Sequence, residues 1–297
     1  MIILNKYIVD LSAVRKITKE SLESYKDIIQ IGGNPSSCDY YLAWGDPVNK
    51  TKFGIAETGF FWDGMHIDTI GLYSSCSLNT PQAQKMIDDF NAPKSATDIV
   101  LHGKLPPSKY RQAGGDINWG GVVLALQNPG DRSVHRGSST EDYYRFVEGA
   151  CRKYGKHLYL KLHPWNSGDV EKRFTELANE HGSTIGRANH SIINNCKFCL
   201  VYNSTFAVDC FLRGIKVAYF APGYFWQTKA VQYTAYEYPD DISTDIDDGY
   251  KLCDFMAYKY LFNQGMSTEK WVKMLQHFST SKELFPMNNE FCYANNT

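Results

Sequence analysis

From residue 122 onward the chain alternates short, largely apolar runs with longer amphipathic stretches. Val122 to Leu126, His157 to Leu162, Phe198 to Tyr202 and Lys216 to Phe220 are the apolar runs, as expected of short strands buried in a sheet. Between them the pattern is helical. Ser138-Ser139-Thr140-Glu141 caps a helix to about Tyr154 that Gly155 stops; Asp169 to His181 is a second, closed by Gly182; Thr205 to Arg213 is a third, ending at Gly214. This rhythm predicts a parallel sheet with helices on its faces, a Rossmann-like unit in which ligands sit outside the carboxyl ends of the strands. The first half is less regular, with a helix over about Lys19 to Gln30, strands at Tyr40 to Trp44 and Phe53 to Ala56, and a helix from Pro81 to Phe90. The Pro- and Gly-rich stretch Leu105 to Gly121 reads as a linker. We therefore expect an α/β protein of two lobes with a cleft: residues 1–115 as the N-terminal lobe, and 116–297 as the C-terminal lobe ending in a helix over Thr268 to Phe278.

Composition narrows the function classes. The 31 basic residues against 32 acidic ones leave a net charge of -1, so no global field draws the chain to polyanions or membrane surfaces. No apolar stretch approaches the ~18 residues of a membrane span. The eight cysteines are scattered, several within apolar runs, and no secretory signal opens the chain, which suits reduced thiols and a cytoplasmic location. Cys196 and Cys199 have redox or zinc spacing but no second pair or His nearby in sequence, so no metal site is expected.

Candidate chemistry lies just after the strands. Lys161-Leu162-His163-Pro164 puts a histidine at the sheet's carboxyl edge, where it could bind a phosphate or pass it a proton, or simply cap a loop. Asn203-Ser204-Thr205 opens a helix; it is either an anion site or an ordinary hydroxyl cap. Asp209, further along that helix, could meet a ribose hydroxyl or sit on a solvated face. Gln127 to Ser133, including Asp131, is a polar turn able to contact donor or acceptor. In the first half, Glu57 leaves a strand just before Gly59 and could act as a general base with open space in front of it, or be a salt-bridged structural acid; Asp68 continues that polar lining.

In this order and spacing, these segments resemble the capsule-polysaccharide biosynthesis family, which includes the Kdo transferases, and more distantly the bacterial sialyl- and polysialyltransferases. The counterparts are Glu57-Thr58-Gly59, Gln127 to Ser133, Lys161 to Pro164, and Ser204-Thr205 through Leu212-Arg213-Gly214 to Val217, with Thr58 where that family often has a second acid. The resemblance implies a GT-B fold and a metal-independent glycosyltransferase. Glu57 and His163 would be its catalytic residues. Gln127, Asp131, Ser133, Lys161, His163, Ser204 and Thr205 would bind the donor, and Gly59 and Asp68 would line the acceptor side. The co-substrate would be a nucleotide sugar based on CMP or UDP, with no further cofactor.

Other readings stay open. The Asn-, Lys- and Tyr-rich composition resembles that of phage proteins, so hydroxymethylated DNA bases are an alternative acceptor to a glycan. Lys251, Lys259, Lys270 and Lys273 interleaved with Tyr250, Tyr258, Tyr260 and Trp271 would then be the grip on DNA, or else a solvated helix with core aromatics. A sugar-nucleotide epimerase and a non-catalytic nucleotide-sugar binder are the remaining alternatives.

Overall fold

The computed structural model describes residues 7–9, 23–25, 27, 29–31, 40–44, 53–61, 64–101, 114–135, 138–235, 237–263, 265–285 and 290–295. The elements in chain order begin with strands β1 (Tyr7–Val9), β2 (Ile29–Ile31), β3 (Tyr40–Trp44), β4 (Phe53–Thr58) and β5 (Gly64–Asp68), followed by helices α1 (Pro81–Asp89) and α2 (Ala96–Leu101). Next come β6 (Val122–Ala125), α3 (Arg132–His135), α4 (Thr140–Tyr154), β7 (Leu158–Lys161), α5 (Gly168–His181), β8 (Thr184–Gly186) and β9 (Phe198–Val201). The chain continues through α6 (Ala207–Phe211), β10 (Val217–Tyr219), β11 (Gln232–Tyr233), α7 (Ile246–Phe255), β12 (Leu261–Asn263) and α8 (Thr268–Thr280). Among the described residues no helix is long and apolar enough to cross a membrane.

These elements form two compact units: residues 1–83, 89–109 and 254–297, and residues 84–88 and 110–253. The first carries a sheet in the order β12-β5-β4-β3-β1-β2. Its β1 to β4 pairings are parallel, while β5 and β12 add on antiparallel. Residues 254–297, which the sequence places with the second lobe, thus fall in the first unit. Leu261–Asn263 extends its sheet beside β5, and Phe262 packs edge-on to Trp271 of α8 at 5.2 Å. Of the helix expected over Lys19 to Gln30, residues 19–22, 26 and 28 lie outside the described residues; Glu23–Tyr25 is a single 3₁₀ turn and Ile29–Ile31 is a strand parallel to β1. Pairing with a neighbour distant in sequence overrides the local pattern there. Of the expected linker, residues 105–113 also lie outside the described residues.

The second unit is built on an all-parallel sheet in the order β11-β10-β9-β6-β7-β8. From β6 the chain winds outward through β7 and β8, then returns to β9 on the other side and winds through β10 and β11. The reversal between β6 and β9 is the topological switch point. Ser139 caps α4 in a reciprocal box with Asp142, Gly155 ends it, and Gly182 closes α5 in the left-handed conformation at φ 69°, as the capping residues predict. Leu124, Leu160, Leu162, Leu200 and Tyr202 pack with Tyr143, Phe146 and Phe174 of α4 and α5 into one core on one face. Helix α7 has no counterpart in the sequence reading. Its signal is the acidic run before it, where Asp245 accepts from the Asp247 N–H at 3.0 Å and Asp247 and Asp248 occupy the first turn.

Candidate active site

The carboxyl edge of the parallel sheet is knitted together at the switch point. Gln127, just past β6, donates from Nε2 to Asn203 Oδ1 (2.9 Å) and Ser133 Oγ (3.3 Å), and its Oε1 accepts from the Asn203 N–H (3.2 Å). The Gln127 N–H donates to the Tyr143 hydroxyl at 2.6 Å, and its carbonyl accepts from Asn166 Nδ2 at 3.2 Å. Asn203 also donates to the Ser133 carbonyl at 2.7 Å. Asp131 accepts from both the N–H and the hydroxyl of Ser133 at 2.8 Å, capping the short α3. Gln127, Asp131 and Ser133, expected to touch the donor, therefore have their polar atoms engaged with one another and with Asn203. They hold three strand ends in register, and a buried amide such as that of Gln127 is costly to strip of such partners. Asn166 and Tyr143 were not legible as site residues, and Asn203 was legible only as part of the Asn203-Ser204-Thr205 turn, since the Gln127 that each of them meets lies 16 to 76 residues away in sequence.

Lys161 is the last residue of β7 and is only 7% exposed. Leu160 and Leu162 enter the core beneath α4 and α5, so alternation along the strand puts Lys161 on the opposite face. Its cross-strand neighbour there is Ala125, itself beside Val201. The small alanine lets the lysine stem lie across β6 until Nζ stands 5.4 Å from the centre of the Phe206 ring. Among the described residues the ammonium forms no hydrogen bond or ion pair. Burial holds its pKa below the ordinary lysine range, and the nearby Asp209 carboxylate pulls it partly back.

His163 follows two residues on, half-buried, in a turn that is tightly braced. The His163 N–H donates to Asn166 Oδ1 (2.8 Å) and the Asn166 N–H to the His163 carbonyl (2.9 Å). Arg187, immediately after β8, donates to the carbonyls of His163 (3.4 Å), Pro164 (3.5 Å) and Asn166 (2.5 Å), and is itself held by Glu171 at 2.6 Å. The Trp165 N–H donates to His163 Nδ1 at 3.2 Å. Assigned from that bond, the neutral ring carries its proton on Nε2, which makes Nε2 a hydrogen-bond donor.

Ser204 and Thr205 are half-buried at the end of β9, but the helix they were expected to open starts only at Ala207 and is five residues long. The Ser204 hydroxyl accepts from the Phe206 N–H at 3.1 Å, and the Thr205 hydroxyl makes no hydrogen bond among the described residues. Asp209 does not sit on a solvated face. It is buried, 2.8 Å from His190 Nδ1 and 3.6 Å from Arg213 Nη1, and the His190 ring meets Phe206 edge-on at 4.9 Å.

In the first unit, Glu57 is half-buried near the carboxyl end of β4 and pairs across the ladder with His66 of β5, whose ring stacks against Phe60 (5.2 Å) and Tyr260 (5.0 Å) in a cluster of three. Gly59 does not face open space. Its N–H donates to the Gly64 carbonyl at 2.8 Å, and a Cβ there would come within 2.7 Å of the Gly64 backbone, so the glycine is required by the β4–β5 turn. Asp68 is likewise not a lining residue. It is buried, and its carboxylate accepts from five donors: the N–H groups of Ile70, Gly71 and Ser77 and the hydroxyls of Ser77 and Tyr260, at 2.7–3.0 Å.

Three of the four aromatic residues of the suggested DNA grip are core residues, and Tyr250 is half-buried. Tyr258, Tyr260 and Trp271 are all buried, so their faces cannot stack on bases, and Lys273 pairs with Glu269 at 2.9 Å. Cys196 and Cys199 are buried free thiols. Among the described residues no group of three or more His, Cys, Asp or Glu is placed to hold a metal ion.

An all-parallel sheet with polar strand ends at its switch point, in a chain with a second α/β unit, is the plan of the GT-B fold of glycosyltransferases. The same fold is seen in Thermosulfurimonas dismutans KpsC. The beta Kdo 2,7 transferase structure matches over 92% of this chain and 98% of its own, with a TM-score of 0.56 and 14% identity. The beta Kdo 2,4 transferase structure matches over 93% and 98%, with a TM-score of 0.55 and 13% identity. At such identities the likeness is one of fold. No protein-family model matches the chain, and no curated protein matches it in sequence.

Proposed function

We propose that this protein is a glycosyltransferase that binds a nucleotide sugar at the carboxyl edge of its parallel sheet and moves the sugar to an acceptor hydroxyl. The observation that carries the reading is the Lys161 ammonium, 7% exposed and without a hydrogen-bonded anion among the described residues. Holding an ion out of water costs several kcal/mol in the absence of a partner, and an anionic ligand supplies one. His163 lies two residues further along the same strand end with Nε2 as its donor, so two groups suited to a phosphate are close in the fold. The likeness in fold to two Kdo transferases supports the reaction class.

In this reading Glu57 removes the proton of the acceptor hydroxyl as its oxygen attacks the anomeric carbon. The bond from that carbon to the phosphate oxygen breaks, and the charge appearing on the phosphate is met by Lys161 and by the His163 Nε2–H. Such donors act strongly where water is excluded. The Ser204 and Thr205 hydroxyls add hydrogen bonds to the phosphate, and the Gln127–Asn203 network keeps the strand ends fixed. With an ammonium and an imidazole placed for the leaving phosphate, the reaction proceeds without a metal, on a CMP- or UDP-linked sugar and with a glycan as acceptor. Thermal unfolding of the full chain with CMP, UDP, GDP and their sugars tests the reading, because a ligand of the native state raises the melting temperature. Stabilisation by a nucleotide and its sugar is expected; no response to any of them would refute it.

A further inference from the structure

Trp165 is the most exposed of the large hydrophobic side chains described, at 61%, against 46% for Ile70, 40% for Ile246 and 37% for Tyr233. So much indole in water contributes little to folding, and an aromatic ring shown to solvent beside a polar site is a natural ligand contact. The backbone that carries the ring is also held in place. The Trp165 backbone N–H donates to His163 Nδ1, the next residue is tied to His163 and to the Gln127 carbonyl, and Arg187 clamps the carbonyls of His163, Pro164 and Asn166. Little backbone freedom remains to be lost when a ligand docks on the indole, which favours binding.

We infer that Trp165 is the stacking platform for the ring of the transferred sugar, next to the phosphate that His163 holds. The inference rests on the function proposed above. The Trp165 and His163 rings are 5.3 Å apart at 71°, so a phosphate on His163 brings one of its two ester-linked rings over the indole. The switch point that receives a nucleotide lies between β6 and β9. Trp165 follows β7, on the other side of β6, and its loop is braced by Arg187 from the β8 side. The nucleoside is drawn toward β9, and the sugar is left to the indole. The chemistry fits, because the C–H face of a pyranose carries slight positive charge and meets the negative face of the π-system.

The test is calorimetric titration of the full chain with CMP, UDP, GDP and their sugars, carried into Trp165→Ala and Trp165→Phe with the nucleotide and nucleotide sugar that the wild type binds most tightly. Both variants should melt as the wild type does, since the side chain is exposed. Trp165→Ala should bind the nucleotide sugar about ten-fold more weakly while the bare nucleotide changes by less than about two-fold, and Trp165→Phe should recover most of the loss. Equal weakening of nucleotide and nucleotide sugar would place the base, not the sugar, on the indole and overturn the inference, as would no weakening of either. A wild type that binds none of the probes fails at the first titration; that overturns the proposed function, and the inference with it.

Discussion

Replacing Lys161 by Met separates the two things this residue does. Methionine keeps the length and apolar stem that cross Ala125 but removes the charge. In the unliganded protein the ammonium is 7% exposed, has no ion pair among the described residues, and is compensated by the Phe206 ring at 5.4 Å and by the charge of Asp209. Desolvation of an ion in a protein costs several kcal/mol, and a desolvated cation–π contact returns about 2 kcal/mol. On the order of 1–3 kcal/mol is left uncompensated, so Lys161→Met should be more stable than the wild type by that amount and melt roughly 2–10 °C higher. The gain depends on pH with a definite sign. The native state holds the Lys161 proton less firmly than the unfolded chain does, so wild-type stability rises with pH from the depressed native value up to the ordinary lysine range. The advantage of the variant is therefore full near neutrality and shrinks under alkaline conditions. Ligand binding should move the opposite way, since losing a charge-assisted hydrogen bond to phosphate removes about 1.5–3 kcal/mol, or ~10–100-fold in affinity. Thermal melts between pH 7 and 10 with and without nucleotide sugar read both effects. A variant that melts lower than the wild type and binds donor normally would show that Lys161 is an ordinary structural lysine and refute the argument.

Three further outcomes are expected. His163→Ala should weaken nucleotide-sugar binding or turnover while far-UV circular dichroism stays native; unchanged kinetics would remove His163 from the site. Glu57→Gln keeps the shape of the side chain and should bind donor with near-native affinity yet transfer sugar at least ~10²-fold more slowly, and a collapse of donor binding instead would count against the base assignment. Transfer activity should survive excess EDTA; complete loss restored by Mn²⁺ or Mg²⁺ would overturn the metal-independent reading.

What the sequence determined by itself was whatever depends on near neighbours. Solid apolar runs and capping residues located β6, α4, β7, α5 and β9 to within a residue or two, because period and caps are local properties of the chain. They also located Lys161 and His163 at a strand end, and hence at the edge where ligands of parallel sheets bind. The tertiary structure decided where each polar side chain goes. Gln127 meets Asn203 across 76 residues, and Asp68 meets Tyr260 across 192, which turns a suspected donor contact and a suspected lining acid into internal supports. It also decided that Leu261–Asn263 joins the first sheet, and that Lys161 reaches Phe206 because the residue beside it on β6 is an alanine. The physical reason is the same in each case. A hydrogen bond or a desolvated charge is fixed by its partner's position in space, and local sequence carries no record of which distant residue the folded chain brings there.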